Sequence, residues 1–197
     1  AGGGLYTRLA GGAGIFVDHC VFLENTVASR GAGLGCNGSN LSVTNTLFSG
    51  NINDEQGGGL WFWPGDVLRT LVVDSCRFEN NHSSFGGGLY ASIASNSSVS
   101  VSRSVFDGNV VSPNTKGWGQ SSAGLNIISP ETSLHASVSI DQIRFTNNHS
   151  SNGAGGLGIT LLGDSANVAV TNCLFEANRC TYYGSALGSS FGGKDNS

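Results

Sequence analysis

Short segments in which every second residue is apolar recur six times along this chain. They are Ile15-Phe16-Val17, Leu41-Ser42-Val43, Leu71-Val72-Val73, Val99-Ser100-Val101, Val138-Ser139-Ile140 and Val168-Ala169-Val170. A period of two that is rich in β-branched residues is typical of a strand with one buried face. Since no segment keeps a period of 3.6 residues, the pattern predicts short strands and essentially no helix.

Each alternating segment is followed by a phenylalanine and, three residues later, by an asparagine. The six pairs are Phe22/Asn25, Phe48/Asn51, Phe78/Asn81, Phe106/Asn109, Phe145/Asn148 and Phe175/Asn178. A small-residue step ending in leucine follows each pair, and the steps are Gly31-Ala32-Gly33-Leu34, Gly57-Gly58-Gly59-Leu60, Gly86-Gly87-Gly88-Leu89, Ser122-Ala123-Gly124-Leu125, Gly155-Gly156-Leu157 and Gly184-Ser185-Ala186-Leu187. This constant order predicts one supersecondary unit stacked many times.

The unit is predicted to contain three short strands, one each at Leu-x-Val, x-Phe and Gly-Gly-Leu. Successive phenylalanines are 26, 30, 28, 39 and 30 residues apart, so loops vary in length while the strands persist. We therefore predict an all-β solenoid of about six to seven coils, forming one domain over residues 1–197. The longest interval holds two insertions, near 110–121 and 128–136, and insertions in solenoids project as loops that often carry binding.

Stacked coils lie about 4.8 Å apart, so equivalent residues form columns along the axis. We expect phenylalanine and leucine to fill interior columns and the asparagines to hydrogen-bond along the axis at a turn. Four residues before each phenylalanine comes a turn residue that can bond the backbone. In this column the acidic residues alternate with hydroxyls, so no two carboxylates stack directly: Asp18, Thr44, Asp74, Ser102, Asp141 and Thr171.

Composition narrows the class of protein. Hydrophobic residues make up 39% of the 197 residues, which excludes a chain that is disordered by composition. The net charge is -4 and no basic stripe is present, so nucleic acid is not expected as a partner. No apolar run is long enough to span a membrane as a helix. The first residues, 2–6, look like the end of a repeat, so we expect an excerpt of a longer chain.

The repeats resemble those of chlamydial polymorphic outer-membrane proteins, which are defined by Phe-x-x-Asn and Gly-Gly-Ala-(Ile/Leu/Val). All six Phe-x-x-Asn copies match, whereas the glycine motif is looser, with Gly-Gly-Gly-Leu in place of Gly-Gly-Ala-Ile. The resemblance implies a right-handed parallel β-helix of the pectin-lyase-like kind. It also implies a surface passenger or adhesin, although a fold alone does not define a function.

Few residues in the sequence point to catalysis. Polysaccharide lyases and hydrolases need clustered carboxylates. Only Glu79 and Asp107 occupy the same turn position in consecutive coils, so they are either a cation site or two solvated residues. His82 and His149 share a column two coils apart, too far to share a zinc ion. We predict no catalytic residue, metal or cofactor.

Aromatic residues form a candidate binding surface. Trp61 and Tyr90 follow the leucine of adjacent glycine steps and should point outward, with Trp63 on the same side and Trp118 in the first insertion. They form either an exposed patch for a partner or sugar, or a satellite core beneath the loop that carries Trp118.

Cysteines and glycosylation sequons complete the candidates. Within single coils, Cys173/Cys180 and Cys20/Cys36 are the best disulfide pairs, and the alternative is free buried thiols. Asn-x-Ser sequons begin at Asn37, Asn40, Asn81, Asn96 and Asn148. The first, second and fourth lie between strands, whereas Asn81 and Asn148 belong to the repeat.

Together these features predict a non-catalytic extracellular or cell-surface β-helix, structural or adhesive, with N-glycans as a further expectation. Its expected partners are further coils of the same protein, copies stacked end to end into a fibre through open strand edges, and glycans. The alternatives are a polysaccharide lyase or hydrolase and a glycan-binding module on the same scaffold.

Overall fold

The computed structural model describes residues 2–9, 13–65, 68–112, 121–181 and 186–191. They form a right-handed parallel β-solenoid of about six turns, without a helix in these ranges. The region described contains no helix long and apolar enough to cross a membrane. The fold class predicted from the repeats is confirmed.

Four parallel sheets, A to D, run along the solenoid. Sheet A consists of β1 (Leu5–Arg8), β5 (Leu34–Asn37), β9 (Leu60–Trp63), β13 (Leu89–Ser92), β17 (Leu125–Ser129), β21 (Leu157–Leu161) and β25 (Leu187–Phe191). Sheet B consists of β2 (Gly14–Asp18), β6 (Asn40–Thr44), β10 (Thr70–Asp74), β14 (Ser98–Ser102), β18 (Ser137–Asp141) and β22 (Asn167–Thr171). Sheets A and B are the Gly-Gly-Leu and Leu-x-Val strands of the sequence pattern.

The other two sheets hold the phenylalanines and the residues after the asparagines. Sheet C consists of β3 (Val21–Leu23), β7 (Leu47–Ser49), β11 (Arg77–Glu79), β15 (Val105–Asp107), β19 (Arg144–Thr146) and β23 (Leu174–Glu176). Sheet D consists of β4 (Thr26–Val27), β8 (Ile52–Asn53), β12 (His82–Ser83), β16 (Val110–Val111), β20 (His149–Ser150) and β24 (Arg179–Cys180). Sheet D is a fourth strand per coil beyond the predicted three, because two residues are too few for an alternating pattern to show.

The interior is built from columns of identical or similar side chains. The six phenylalanine rings stack along the axis, with centroids 4.6–5.2 Å apart and interplanar angles of 3–16°. Leu34, Leu60, Leu89 and Leu125 pair in register along sheet A and are fully buried. The predicted phenylalanine and leucine columns are therefore confirmed, and they pack against each other in one continuous core.

A glycine precedes the leucine in every coil except the last, where Ala186 precedes Leu187, and it makes room for that core. A Cβ on Gly59 would lie 3.0 Å from Cδ1 of Phe78 and 2.6 Å from the carbonyl oxygen of Gly88. Any larger residue would push the chain away from the ring or from the next coil. The phenylalanine column thus depends on the glycine motif for the space in which its rings pack.

The asparagines form a hydrogen-bonded ladder inside the solenoid. In each internal coil the side-chain amide donates to Oδ1 of the asparagine in the next coil and to the carbonyl of the phenylalanine in the preceding coil. The same Oδ1 also accepts from the backbone N–H of the asparagine before it. Asn51, Asn81, Asn109 and Asn148 are fully buried. The predicted amide ladder is confirmed.

Two corners of every coil adopt the left-handed αL conformation. Three residues before the phenylalanine, φ lies between 46° and 55°, at His19, Asn45, Ser75, Arg103, Gln142 and Asn172. Two residues after it, φ lies between 53° and 63°, at Glu24, Gly50, Asn80, Gly108, Asn147 and Ala177. Most of these residues are not glycine, so this conformation costs about 1–3 kcal/mol at each of those corners and the stacked sheets impose it.

Two insertions were predicted in the long interval between Phe106 and Phe145, near 110–121 and 128–136, but residues 128–129 belong to β17. Of the first, residues 113–120 lie outside the described residues. The second is observed as a seven-residue loop, 130–136, between β17 and β18. It lies on the same edge as the other loops that join sheet A to sheet B.

We predict that Asn109→Ala destabilises the fold by at least about 3 kcal/mol, because unpaired buried polar groups each cost about 1–3 kcal/mol. The change removes four side-chain hydrogen bonds, to Asn81, Phe78 and Asn148. Urea unfolding measures the effect. Asn167→Ala, at an exposed strand end, is the matched control and should change stability by less than about 0.5 kcal/mol. Equal effects of the two substitutions would contradict the proposed importance of the ladder.

Candidate interaction surface

An alternating column of carboxylates and hydroxyls follows the corner between sheets B and C. The register pairs Asp18 with Thr44, Asp74 with Ser102, and Asp141 with Thr171. In each pair the hydroxyl donates to the carboxylate, over 2.5, 2.6 and 2.7 Å. The predicted separation of the carboxylates is confirmed, and the column repeats every two coils.

The αL residues beside this column add further donors to the carboxylates. Asn45 donates to Asp18, Asn172 to Asp141, and Arg103 forms an ion pair with Asp74. Hydrogen bonds from Thr44, Asn45 and His19 hold the pKa of Asp18 well below its usual range. Those from Thr171, Asn172 and Gln142 lower the pKa of Asp141. At Asp74 partial burial acts to raise the pKa, but the bonds from Ser102 and Arg103 outweigh it and the pKa is lowered.

The remaining acidic residues that the sequence singled out are also engaged. Glu79 and Asp107 are register partners, as predicted, but Glu79 forms an ion pair with Arg77. Asp107 accepts hydrogen bonds from Thr146 and Asn147 at 2.6 and 2.9 Å. No group of three or more potential metal ligands occurs among the described residues.

A polar cleft of about 330 Å³ lies on the outer face of sheet C, lined by Asp107, Arg144, Thr146, Asn147, Glu176 and Ala177. Its two acidic residues are separated by one coil, because Thr146 lies between Asp107 and Glu176 in the register. The cleft brings opposite charges together on a surface but contains no pair of adjacent carboxylates.

The two histidines named by the sequence share a column of sheet D. Val110 lies between them, since it pairs with His82 on one side and His149 on the other. The two imidazoles are therefore two coils apart, as predicted.

Of the two alternatives for the aromatic residues on sheet A, the exposed patch does not hold for Trp61 and Tyr90. Trp61 and Tyr90 are adjacent in register, as predicted, but only 3% and 2% exposed. Gln56 accepts a hydrogen bond from Nε1 of Trp61, and the Arg30 guanidinium lies 5.4 Å from the Trp61 ring centroid. Residues of the segments preceding β5 and β9 therefore cover the sheet. An exposed patch that includes Trp61 and Tyr90 is wrong, and burial raises the pKa of Tyr90. Trp118 lies outside the described residues.

Trp63 keeps the exposure that was expected of the whole group. It is 37% exposed, and its ring lies nearly parallel to that of Trp61, with centroids 6.4 Å apart. It forms one side of a cleft of about 270 Å³, whose other side comes from residues 92–95 and from Pro130, Thr132 and Ser133. The sequence indicated Trp63 and the second insertion separately, but not residues 92–95, since nothing in a short polar loop marks it as their neighbour.

The sequons fall into two groups. Asn81 and Asn148 are fully buried and their amides donate within the ladder, so the prediction of glycosylation is wrong at these two positions in the folded coil. Asn37 is half-buried, and Oδ1 of Asn40 accepts from the backbone of Thr70 at 2.9 Å. Asn96 is exposed, with a φ of 57°, in the loop after β13.

Neither predicted disulfide is present. Cys20, Cys36 and Cys173 are thiols. The sulfurs of Cys20 and Cys173 donate to the carbonyls of Asp18 and Thr171 at the B–C corner, whereas Cys36 is buried on sheet A. The two cysteines of each predicted pair thus lie on different walls of the coil. Burial raises the pKa of the Cys36 and Cys173 thiols.

The comparison with known families agrees with this geometry. A family model described as the Chlamydia polymorphic membrane protein (Chlamydia_PMP) repeat matches residues 75–92. The match spans one coil, from the αL corner at Ser75 through Phe78 and Asn81 to the end of β13. One coil of the chain therefore matches this repeat, which confirms the resemblance. The repeat and the solenoid fit a surface protein with a structural or adhesive role. No curated protein and no solved structure matches the chain.

We expect the carboxylate column to make the free energy of unfolding depend on pH. The folded-state pKa values of Asp18, Asp74 and Asp141 lie below the value of about 3.9 for an unfolded aspartate. The unfolded chain therefore binds more protons, so this contribution is present above that pKa and is lost as the pH falls towards the folded-state values. Urea unfolding measures this effect. Between pH 6 and pH 3, the variant with all three aspartates replaced by asparagine should lose less stability than the unsubstituted protein.

The control for this comparison is Glu131→Gln, an exposed carboxylate in the 130–136 loop. It should keep the acid response of the unsubstituted protein. A triple variant that loses as much stability in acid as the unsubstituted protein would show that the column does not carry the effect.

Proposed function

We propose that this chain is a non-catalytic structural and adhesive solenoid, exposed at the cell surface or outside the cell. The observation that carries the proposal is the use of its aligned polar side chains. The asparagine amides and the column carboxylates bond from coil to coil along the axis. Such bonds stiffen the solenoid along its axis and hold its loops in fixed relative positions.

The match of residues 75–92 to a membrane-protein repeat supports a location at the surface. We infer that the loops joining sheet A to sheet B make contacts with partners, because their length differs from coil to coil. They range from two residues, between β5 and β6, to seven, between β17 and β18.

The alternative of a polysaccharide lyase or hydrolase is less well supported by the chemistry of the acidic residues. A general acid in glycoside hydrolysis needs a raised pKa. Asp18, Asp74 and Asp141 instead have lowered pKa values, which favour the ionised form. Asp107, in the sheet C cleft, is engaged by two donors.

We expect no turnover when the purified chain is incubated with neutral and acidic polysaccharides. New reducing ends report hydrolysis and unsaturated uronate products report elimination. Asp107→Asn is the matched variant, since its carboxylate lines the sheet C cleft. Turnover by the unsubstituted chain that this substitution abolishes would establish the enzyme and overturn the proposal.

N-glycosylation is proposed at Asn96 ahead of Asn37 and Asn40, on grounds of exposure. When the chain is secreted from eukaryotic cells, peptide mapping should find a glycan on Asn96 and none on Asn81 or Asn148. Ser98→Ala removes the same sequon without changing Asn96 and should also lose the glycan. A glycan on Asn81, or an unmodified Asn96, would contradict this assignment.

Further coils, from the same protein or from a second copy, are the proposed partners of the solenoid itself. Phe22 and Phe175, the outermost rings of the stack, are only partly buried, whereas the four rings between them are fully buried. An added coil would cover them and continue the asparagine ladder. Electron microscopy of native material should show rods longer than the described coils, and isolated particles of this length alone would count against stacking.

A further inference from the structure

The cleft beside Trp63 is formed by three consecutive coils. Trp63 ends β9, residues 92–95 follow in the next coil, and Pro130, Thr132 and Ser133 belong to the loop of the coil after that. All three contribute the segment that leaves sheet A. The cleft thus lies on the edge of the solenoid at which loops of differing length join sheet A to sheet B.

The walls of the cleft are fixed by hydrogen bonds between neighbouring coils. Oγ of Ser133 donates to the carbonyl of Ile93 at 3.2 Å, and the backbone N–H of Leu134 donates to Oγ of Ser95 at 3.1 Å. The backbone of Asn96 donates to the carbonyl of Leu134 at 2.8 Å. A ligand would therefore meet a preformed site and would lose little affinity to ordering of the loops.

The lining combines an aromatic face with a free hydroxyl. The buried Trp61 packs against Trp63 and so fixes the exposed ring in place. Thr132 is exposed and its side chain makes no hydrogen bond within the part of the chain that the structure describes, so its hydroxyl is available to a ligand, whereas Ser92 is only 4% exposed. Among the residues that the structure describes, no charged side chain lines the cleft.

We propose that this cleft binds one neutral sugar residue of a glycan. The C–H face of a pyranose ring is apolar and packs on an aromatic face, while one of its hydroxyls exchanges a hydrogen bond with Thr132. The volume of about 270 Å³ is just below the range of about 300–1,000 Å³ for drug-sized ligands, which suits a single ring. The described part of the lining offers no cationic side chain to pair with a uronate or a sulfated sugar, so we assign a neutral one. The proposal rests on the adhesive part of the proposed function and names its ligand class.

The test uses the complete chain and short soluble oligosaccharides of glucose, mannose, galactose and N-acetylglucosamine. Titration calorimetry and tryptophan fluorescence should detect binding of at least one of them. Trp63→Ala should weaken that binding by about tenfold or more, and Thr132→Val should weaken it by a smaller factor. Phe16→Ala is the matched control: Phe16 is an aromatic residue on sheet B, 83% exposed, and its loss should leave binding unchanged.

Thermal unfolding of each variant confirms that it is folded. If Trp63→Ala does not fold, Thr132→Val decides the matter, because it exchanges one exposed hydroxyl for a methyl group. The proposal is overturned if no neutral oligosaccharide binds, if folded Trp63→Ala binds like the unsubstituted chain, or if only acidic glycans or proline-rich peptides bind. Fractionation of native cells tests separately whether the protein lies at the surface. A surface protein without sugar binding would contradict the cleft proposal but not the proposed function.

Discussion

The buried asparagine ladder is the interaction on which the rest of the structure depends. A buried amide is costly unless each of its donors and acceptors has a partner. Here every internal asparagine satisfies its neighbours only if adjacent coils keep one register and one spacing. The same spacing brings the phenylalanine rings into contact at 4.6–5.2 Å and brings the glycines of adjacent coils close together. Ring stacking and amide bonding thus specify the same geometry.

The corners show what this register imposes on the chain. Residues such as Arg103, Gln142 and Ala177 adopt αL conformations that they do not favour by themselves. At several corners the side chain recovers part of the cost through a bond to a carboxylate, as Asn45 and Asn172 do with Asp18 and Asp141. The acidic residues of this column are therefore part of the means by which tight corners are stabilised. This is the physical basis for assigning them a structural role.

The surfaces available for binding lie where loops interrupt the repeat. The loops between sheets A and B vary freely because they lie outside the stacked columns, and three of them meet around Trp63. The rigid core beneath fixes their relative positions, so that a cleft can form from segments far apart in the sequence. A rod with a constant shaft and variable loops is suited to presenting contacts at a surface.

The sequence by itself determined the solenoid, the phenylalanine and asparagine columns and the alternation of carboxylates with hydroxyls, because each depends on spacing within and between repeats. Only the tertiary structure decided which side chains stay in solvent. Trp61 and Tyr90 alternate outward from the core, yet Arg30 and Gln56 lie in the segments that cover this face of sheet A. The tertiary structure also decided which residues lie beside Trp63, and it placed the cysteines of each predicted pair on different walls of a coil. Alternation specifies the side of a strand on which a residue lies, whereas burial depends on loops that carry no repeat.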